Sequence, residues 1–141
     1  MTHRDIAQFF TRRDKDWLDH NVDALTDGHA EDGEILSPLF GNIRGYSAIH
    51  KSYAEFYEIF PDAKYDTEDL LIDGDRAAQF VKMTGTQEQN FCGFSSEGKQ
   101  FQFQLASLFF FSDMKIIREI RIYDFTGMLL QIGALKAKPA F

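Results

Sequence analysis

The sequence predicts an α+β domain in which amphipathic helices pack on one side of a bent, mostly antiparallel sheet. Two observations carry that prediction. Apolar residues recur at helical spacing through roughly the first sixty residues, and from Tyr65 onward the period changes to two. Turn signals such as Asp73-Gly74-Asp75 then join long apolar runs directly, as in a meander of hairpins.

Taken in order, the segment from Arg4 to Leu25 lacks Gly and Pro. Phe10, Trp17, Leu18, Asn21, Val22 and Leu25 recur there at helical spacing, which predicts one first helix ended by Asp27-Gly28. The polar stretch from His29 to Gly41 holds a short strand or turn and a break at Pro38. Ser47 is placed to cap a second helix reaching Ile59, with Ile49, Tyr53, Phe56 and Phe60 on one stripe. Pro61 stops it by disfavouring helical geometry at Phe60. Tyr65–Ile72 and Arg76–Gln87 read as paired strands, with Gly85 marking a bulge or sharp bend.

A loop through Cys92, Gly93 and Gly98-Lys99 leads to a long strand, Gln100–Phe111. Phe101, Phe103, Leu105, Ser107, Phe109 and Phe111 form one of its faces; Gln102, Gln104, Ala106, Leu108 and Phe110 form the other. Apolar residues on both faces near its end predict burial on both sides. The periodicity leaves open which parity meets the interior. Ser112-Asp113-Met114 turns into a last strand, Lys115–Asp124, and Met128–Leu135 is a short terminal helix. A bent sheet folded over helices encloses a conical interior, where a small molecule would bind.

Length and composition bound the function. At 141 residues, 44% hydrophobic and 26% charged, the chain reads as a single soluble domain, residues 1–141. Fifteen Phe imply a bulky core or an aromatic cavity. A net charge of -7 without a basic stripe speaks against a nucleic-acid partner. No apolar run is long enough to cross a bilayer, so no membrane partner is expected. The polar start, Met1 to Asp5, gives no secretory signal, and a cytoplasmic location is the expectation. A single cysteine, Cys92, excludes an intrachain disulfide.

Candidate site residues have two readings each. Asp124 ends an alternating run and shares parity with Ile120 and Ile122. An acid beside two aliphatic side chains suits a dry pocket, where desolvation raises its pKa toward a range useful for proton transfer. Otherwise Asp124 is a turn former before Thr126-Gly127. Tyr53, Phe56, Phe60 and Trp17 are pocket walls or ordinary core. His29, Asp32 and Glu34 lie close together, but the segment reads as a solvated loop and no metal is expected. His50 lies beside its helix stripe, as a partly exposed histidine would, and Cys92 lacks the electropositive setting of a reactive thiolate. Glu119, Arg121 and Tyr123 take the parity opposite to Asp124, as an outer sheet face with paired charges would.

Gly45 with Ala48-Ile49, Phe60-Pro61-Asp62, Gly74-Asp75, Gly85-Thr86, Phe91 and Gly93, Gly98-Lys99, and Asp124 with Gly127-Met-Leu-Leu-Gln131-Ile-Gly133 occur in that order. This pattern, spread over roughly residues 5 to 135, resembles the SnoaL-like polyketide (ester) cyclases of the nuclear transport factor two-like superfamily. The resemblance implies a cone-shaped barrel: helices wrapped by a strongly curved, mostly antiparallel sheet. It implies intramolecular aldol closure of a polyketide ring with no cofactor and no metal, with Asp124 as the general acid/base. It also implies a homodimer through the outer sheet face.

Three departures stand out. Gln87 occupies a position where family members commonly carry His, and no His follows His50, whereas these cyclases use a histidine within the sheet. Ile120 stands where a Trp is frequent.

The expectation is therefore a cofactor-independent cyclase, isomerase or related lyase acting on a hydrophobic carbonyl compound. Asp124 is its acid/base, Gln79 or Gln104 orients the carbonyl, and Trp17, Tyr53, Phe56, Ile120 and Ile122 complete the substrate site. The missing histidine favours an alternative: a non-catalytic protein holding an apolar ligand in the same cone.

Overall fold

A computed structural model describes residues 1–90, 92–136 and 138; Phe91, part of the resemblance above, lies outside the described residues. The chain runs α1 (His3–Leu18), α2 (Val22–Asp27), β1 (His29–Ser37), β2 (Gly41–Arg44), α3 (Tyr46–Ile59), β3 (Lys64–Asp73), β4 (Arg76–Thr86), β5 (Gln100–Ser112), β6 (Lys115–Ile122) and α4 (Phe125–Gln131). The strands form one curved, unclosed sheet in the order β2-β1-β6-β5-β4-β3. Every pairing is antiparallel except β1 with β6. The α+β class and the strongly curved sheet are as expected, with α3 inserted between β2 and β3.

Local chemistry explains most boundaries. Thr2 and Asp5 form a capping box that starts α1, satisfying two otherwise orphaned backbone donors. The expected single first helix is two. His20 takes a positive φ of 53°, and the Asn21 side chain accepts from Ala24 N to start α2 afresh. The cap of α3 is Gly45 rather than Ser47: its φ of 89° is open to glycine at little cost, and no side chain caps that end.

The stretch expected as a short strand or turn is instead the nine-residue strand β1. Gly85 does not mark a bulge. It stays in register opposite Phe101, and a Cβ there would meet the Phe101 ring at 3.0 Å and Phe60 Cβ at 3.3 Å. Its smallness lets two aromatic side chains close on the sheet.

The interior has two apolar parts. At one, Phe9, Phe10, Phe109 and Phe111 meet edge to face with Ile6, Ala77 and Ile116. The larger part gathers Trp17, Ile35, Tyr53, Phe60, Leu105 and Met128 from helices and sheet. Inward residues of β5 are Phe101, Leu105, Ser107, Phe109 and Phe111. Burial on both faces is corrected: Leu108 on the other face is partly exposed, because no element among the described residues covers it.

Candidate functional site

The interior near α4 holds a small cavity of about 40 Å³, room for no more than a few waters. Its walls are mostly apolar and aromatic: Trp17 from α1, Phe56 from α3, Phe103 and Leu105 from β5, Tyr123 after β6 and Met128 from α4. Tyr53 and Arg121 bring polarity into that wall. Phe40, in the turn between β1 and β2, lines both this cavity and a neighbouring open groove of about 720 Å³ that Glu55, Glu58, Ile59, Gln89, Asn90 and Cys92 also border.

Behind the wall lies a buried charged cluster. Arg13 Nη2 donates to Tyr53 Oη at 2.7 Å, and Arg121 Nη2 reaches the same oxygen at 3.4 Å. His29 Nε2 lies 2.8 Å from that oxygen. Two guanidinium donors fill the acceptor positions of the hydroxyl, so its own proton points at Nε2, and His29 carries its proton on Nδ1. Glu119 accepts from Arg121 Nε at 2.5 Å and from Arg13 Nη2 at 3.4 Å.

The electrostatics follow from burial and sign. Burial, then the charge of Arg13, push His29 from its ordinary 6.5 down to about 3, so the imidazole is neutral. For Glu119, burial favours the neutral acid, but Arg121 and Arg13 outweigh it and hold the carboxyl below its usual range. Desolvation opposes the charge of Arg121 as well, and Glu119 beside it more than restores it. Arg13 likewise stays charged against its burial, supported by Tyr53 and Glu119. Arg13 also lies 5.7–5.9 Å from the ring centres of Phe109, Trp17 and Tyr53, where the two apolar parts of the interior meet.

The structure places Trp17, Tyr53 and Phe56 together on the cavity wall. Five other expected positions are corrected. The Asp124 carboxyl is exposed and caps α4, accepting from Gly127 N at 2.8 Å. Ile120 and Ile122 are on the convex face, Ile122 being 67% exposed. Gln104 is exposed there too and donates to Glu68. Gln79 is buried, yet it bonds Tyr65, Thr67 and Asp14 and does not border the cavity.

Glu119, Arg121 and Tyr123, expected outside, point inward: Glu119 is 1% exposed. The physical reason is a β-bulge. Phe111 pairs with Ile116 and Phe110 with Arg118, so Ile117 is an extra residue that reverses the inside-outside phase beyond it.

Sequence reasoning missed Arg13, His29, Glu119 and Arg121 as a unit. One signal was available for Arg13, since it interrupts the apolar stripe of Phe10 and Trp17 at helical spacing. His29, expected in a solvated loop, is buried on β1. The parallel pairing of β1 with β6 brings it beside Glu119, so the sheet does contain a histidine, from an earlier strand than those after His50. Among the described residues no three His, Cys, Asp or Glu side chains are grouped to hold a metal ion. No helix there is long and apolar enough to cross a membrane.

Comparison with known proteins gives consistent findings. The profile of the SnoaL-like polyketide cyclase family matches residues 7–132. A solved structure assigned to a SnoaL-like polyketide cyclase of Jannaschia sp. CCS1 superposes with a TM-score of 0.84 at 17% identity, covering 94% of each chain. TsrD of Streptomyces laurentii gives 0.83 at 18% identity over 96% of this chain and 99% of that one. A Catenulispora acidiphila protein of ketosteroid isomerase-like fold, in complex with trimethylamine, gives 0.77 at 18% identity over 93% and 97%. These likenesses concern the fold. No curated protein matches the chain.

Proposed function

The chain belongs to the SnoaL-like polyketide cyclase family, which supports a polyketide cyclase-type role; from that premise we propose a cofactor-independent enzyme acting by acid/base chemistry on a hydrophobic carbonyl compound. One observation carries the reading: Tyr53 and Arg121, both anchored in the buried charged cluster, supply polar groups to a mostly apolar cavity wall. A substrate carbonyl placed there has its oxygen against Arg121. As a neighbouring carbon loses a proton or forms a bond, negative charge grows on that oxygen, and a fixed guanidinium in a dry site stabilises it strongly. The Tyr53 hydroxyl is the proton-bearing group beside it: its proton, otherwise directed at His29, turns to the substrate oxygen while Arg13 keeps donating to the hydroxyl. Aromatic walls exclude water. A substrate of polyketide size needs more than the closed cavity, and Phe40 is the side chain whose displacement joins cavity and groove.

A second reading, ligand binding without turnover, is favoured by a specific observation. Of the carboxylates described, none borders the cavity, and Glu119 behind the wall is already paired with two arginines. Solvent exchange separates the two readings. With β-tetralone in heavy water, the enzyme reading expects accelerated deuterium incorporation next to the carbonyl, and at least about a hundredfold less acceleration with Tyr53→Phe. Ketone binding with no acceleration by the unaltered protein would leave the binding reading standing.

The convex face exposes Phe80, Leu108 and Ile122. We propose that two copies pair through it, in place of the Glu119 face first expected.

A further inference from the structure

We infer that the ligand of this cavity binds as an oxyanion, the conjugate base of an enol, phenol or carboxylic acid on a flat aromatic body, with its oxygens on Arg121 and the Trp17 indole N–H. The inference deepens the reading above and rests on the cavity being the ligand site.

The charge count comes first. Arg13 is buried and Arg121 largely so, and among the described residues Glu119 is the one carboxylate that pairs with them. Asp14, half-buried nearby, hydrogen-bonds Thr67 and Gln79 and neither guanidinium. His29, pressed between the same two cations, is neutral. Counted by direct ion pairs, the cluster therefore holds one positive charge in excess, with Asp14 feeling Arg13 only through space, inside a chain whose net charge is -7. An unbalanced buried charge is costly, and an anion that arrives with the ligand removes the imbalance.

Unused donors point to the same ligand. Arg121 spends Nε on Glu119 and Nη2 on Tyr53, and its Nη1 has no protein acceptor among the described residues. The Trp17 indole N–H is buried with no partner, although Trp17 borders the cavity. The remaining polar groups of the wall are engaged. Ser52 donates to Ile49 O, and the Ser37 and Tyr123 hydroxyls bond each other, with Leu39 N donating to Tyr123 as well. A wall with donors to spare and no spare carboxylate selects acceptors over cations. Phe103 stacked on Tyr123 at 4.7 Å gives that wall a flat apolar surface.

The test uses β-naphthoate and its neutral analogue β-naphthamide, followed through the fluorescence of Trp17, the single tryptophan. The unaltered protein is expected to bind the acid at least about tenfold more tightly than the amide, as for a hydrogen bond to a charged group in a dry site. Arg121→Lys keeps that preference. Arg121→Gln combined with Glu119→Gln swaps the ion pair for two amides at unchanged net charge; a urea midpoint checks that the variant folds with Arg13 lacking its carboxylate, and the preference disappears because the donor that touches the oxygen is gone. Equal binding of acid and amide by the unaltered protein would overturn the oxyanion while leaving the cavity as a ligand site. A preference that persists in the double variant overturns the role of Arg121. If neither probe perturbs Trp17, the inference and the cavity reading fall together.

Discussion

Beyond its bulge, the two faces of β6 invert the usual rule. Its concave face carries Glu119 and Arg121, charged and buried, whereas its convex face carries Ile120 and Ile122, aliphatic and partly or largely exposed. Hydrophobic burial alone would choose the opposite register, because each aliphatic side chain moved from water into the core contributes roughly 1.5–3 kcal/mol. The chain gives up that stabilisation on the convex side and accepts desolvated charges on the concave side. Such a local conflict is expected where function sets the residues.

The sharpest way to break the comparison is to remove the charge that balances the concave face. Glu119→Ala strands Arg13 and Arg121 without a counter-ion, and urea unfolding should show a loss of about 3–5 kcal/mol. A loss below about 1 kcal/mol would mean that the cluster is hydrated rather than buried.

Acid sharpens the same contrast. The unfolded chain protonates His29 near 6.5, whereas the folded chain resists until about 3. Its folded pKa is depressed, so the unfolded state binds more protons throughout that window. Stability is therefore intact above 6.5 and falls with pH, by about 2 kcal/mol at about pH 5. Glu119, held below its ordinary 4.5, adds a further loss in stronger acid. Comparing urea midpoints near neutrality and at about pH 5 tests this, and His29→Gln should flatten the His29 part of the slope.

Asp124 belongs with the convex, solvent-facing set, and its job there is to cap α4. Asp124→Ala should cost about 1 kcal/mol and Asp124→Asn a few tenths, since Asn caps nearly as well. Deuterium exchange into β-tetralone should be unchanged in the Asn variant, and a hundredfold fall would return the acid/base role to Asp124.

The smallest stability effect is expected on the open face. Ile122→Asp should alter the unfolding free energy of the monomer by less than about 0.5 kcal/mol. Light scattering should nonetheless show it as a 16.3 kDa monomer where the unaltered chain is a dimer. An unaltered chain that is already monomeric at micromolar concentration would leave the convex face without a second copy to bind.

Much of the frame was legible in the residues because it depends on local periodicity and turn chemistry. The stripe of Ile49, Tyr53 and Phe56, the hairpin at Gly74 and the length of β5 follow from spacing, and the stripe carried Tyr53 and Phe56 to the cavity. The charged cluster did not follow. Arg13, His29, Tyr53 and the Glu119–Arg121 pair come from separate elements, up to 108 positions apart between the first and last of them, so no window of sequence contains them.

Sequence alone determined that the end of β6, Glu119 to Ile122, alternates charged and aliphatic residues. Only the tertiary structure decided which set turns inward. Ile116 and Ile120 share parity along the chain, yet the extra residue Ile117 puts them on opposite faces. A single-residue bulge leaves the composition of the strand unchanged and is set by pairing with β5, a long-range contact that periodicity cannot report.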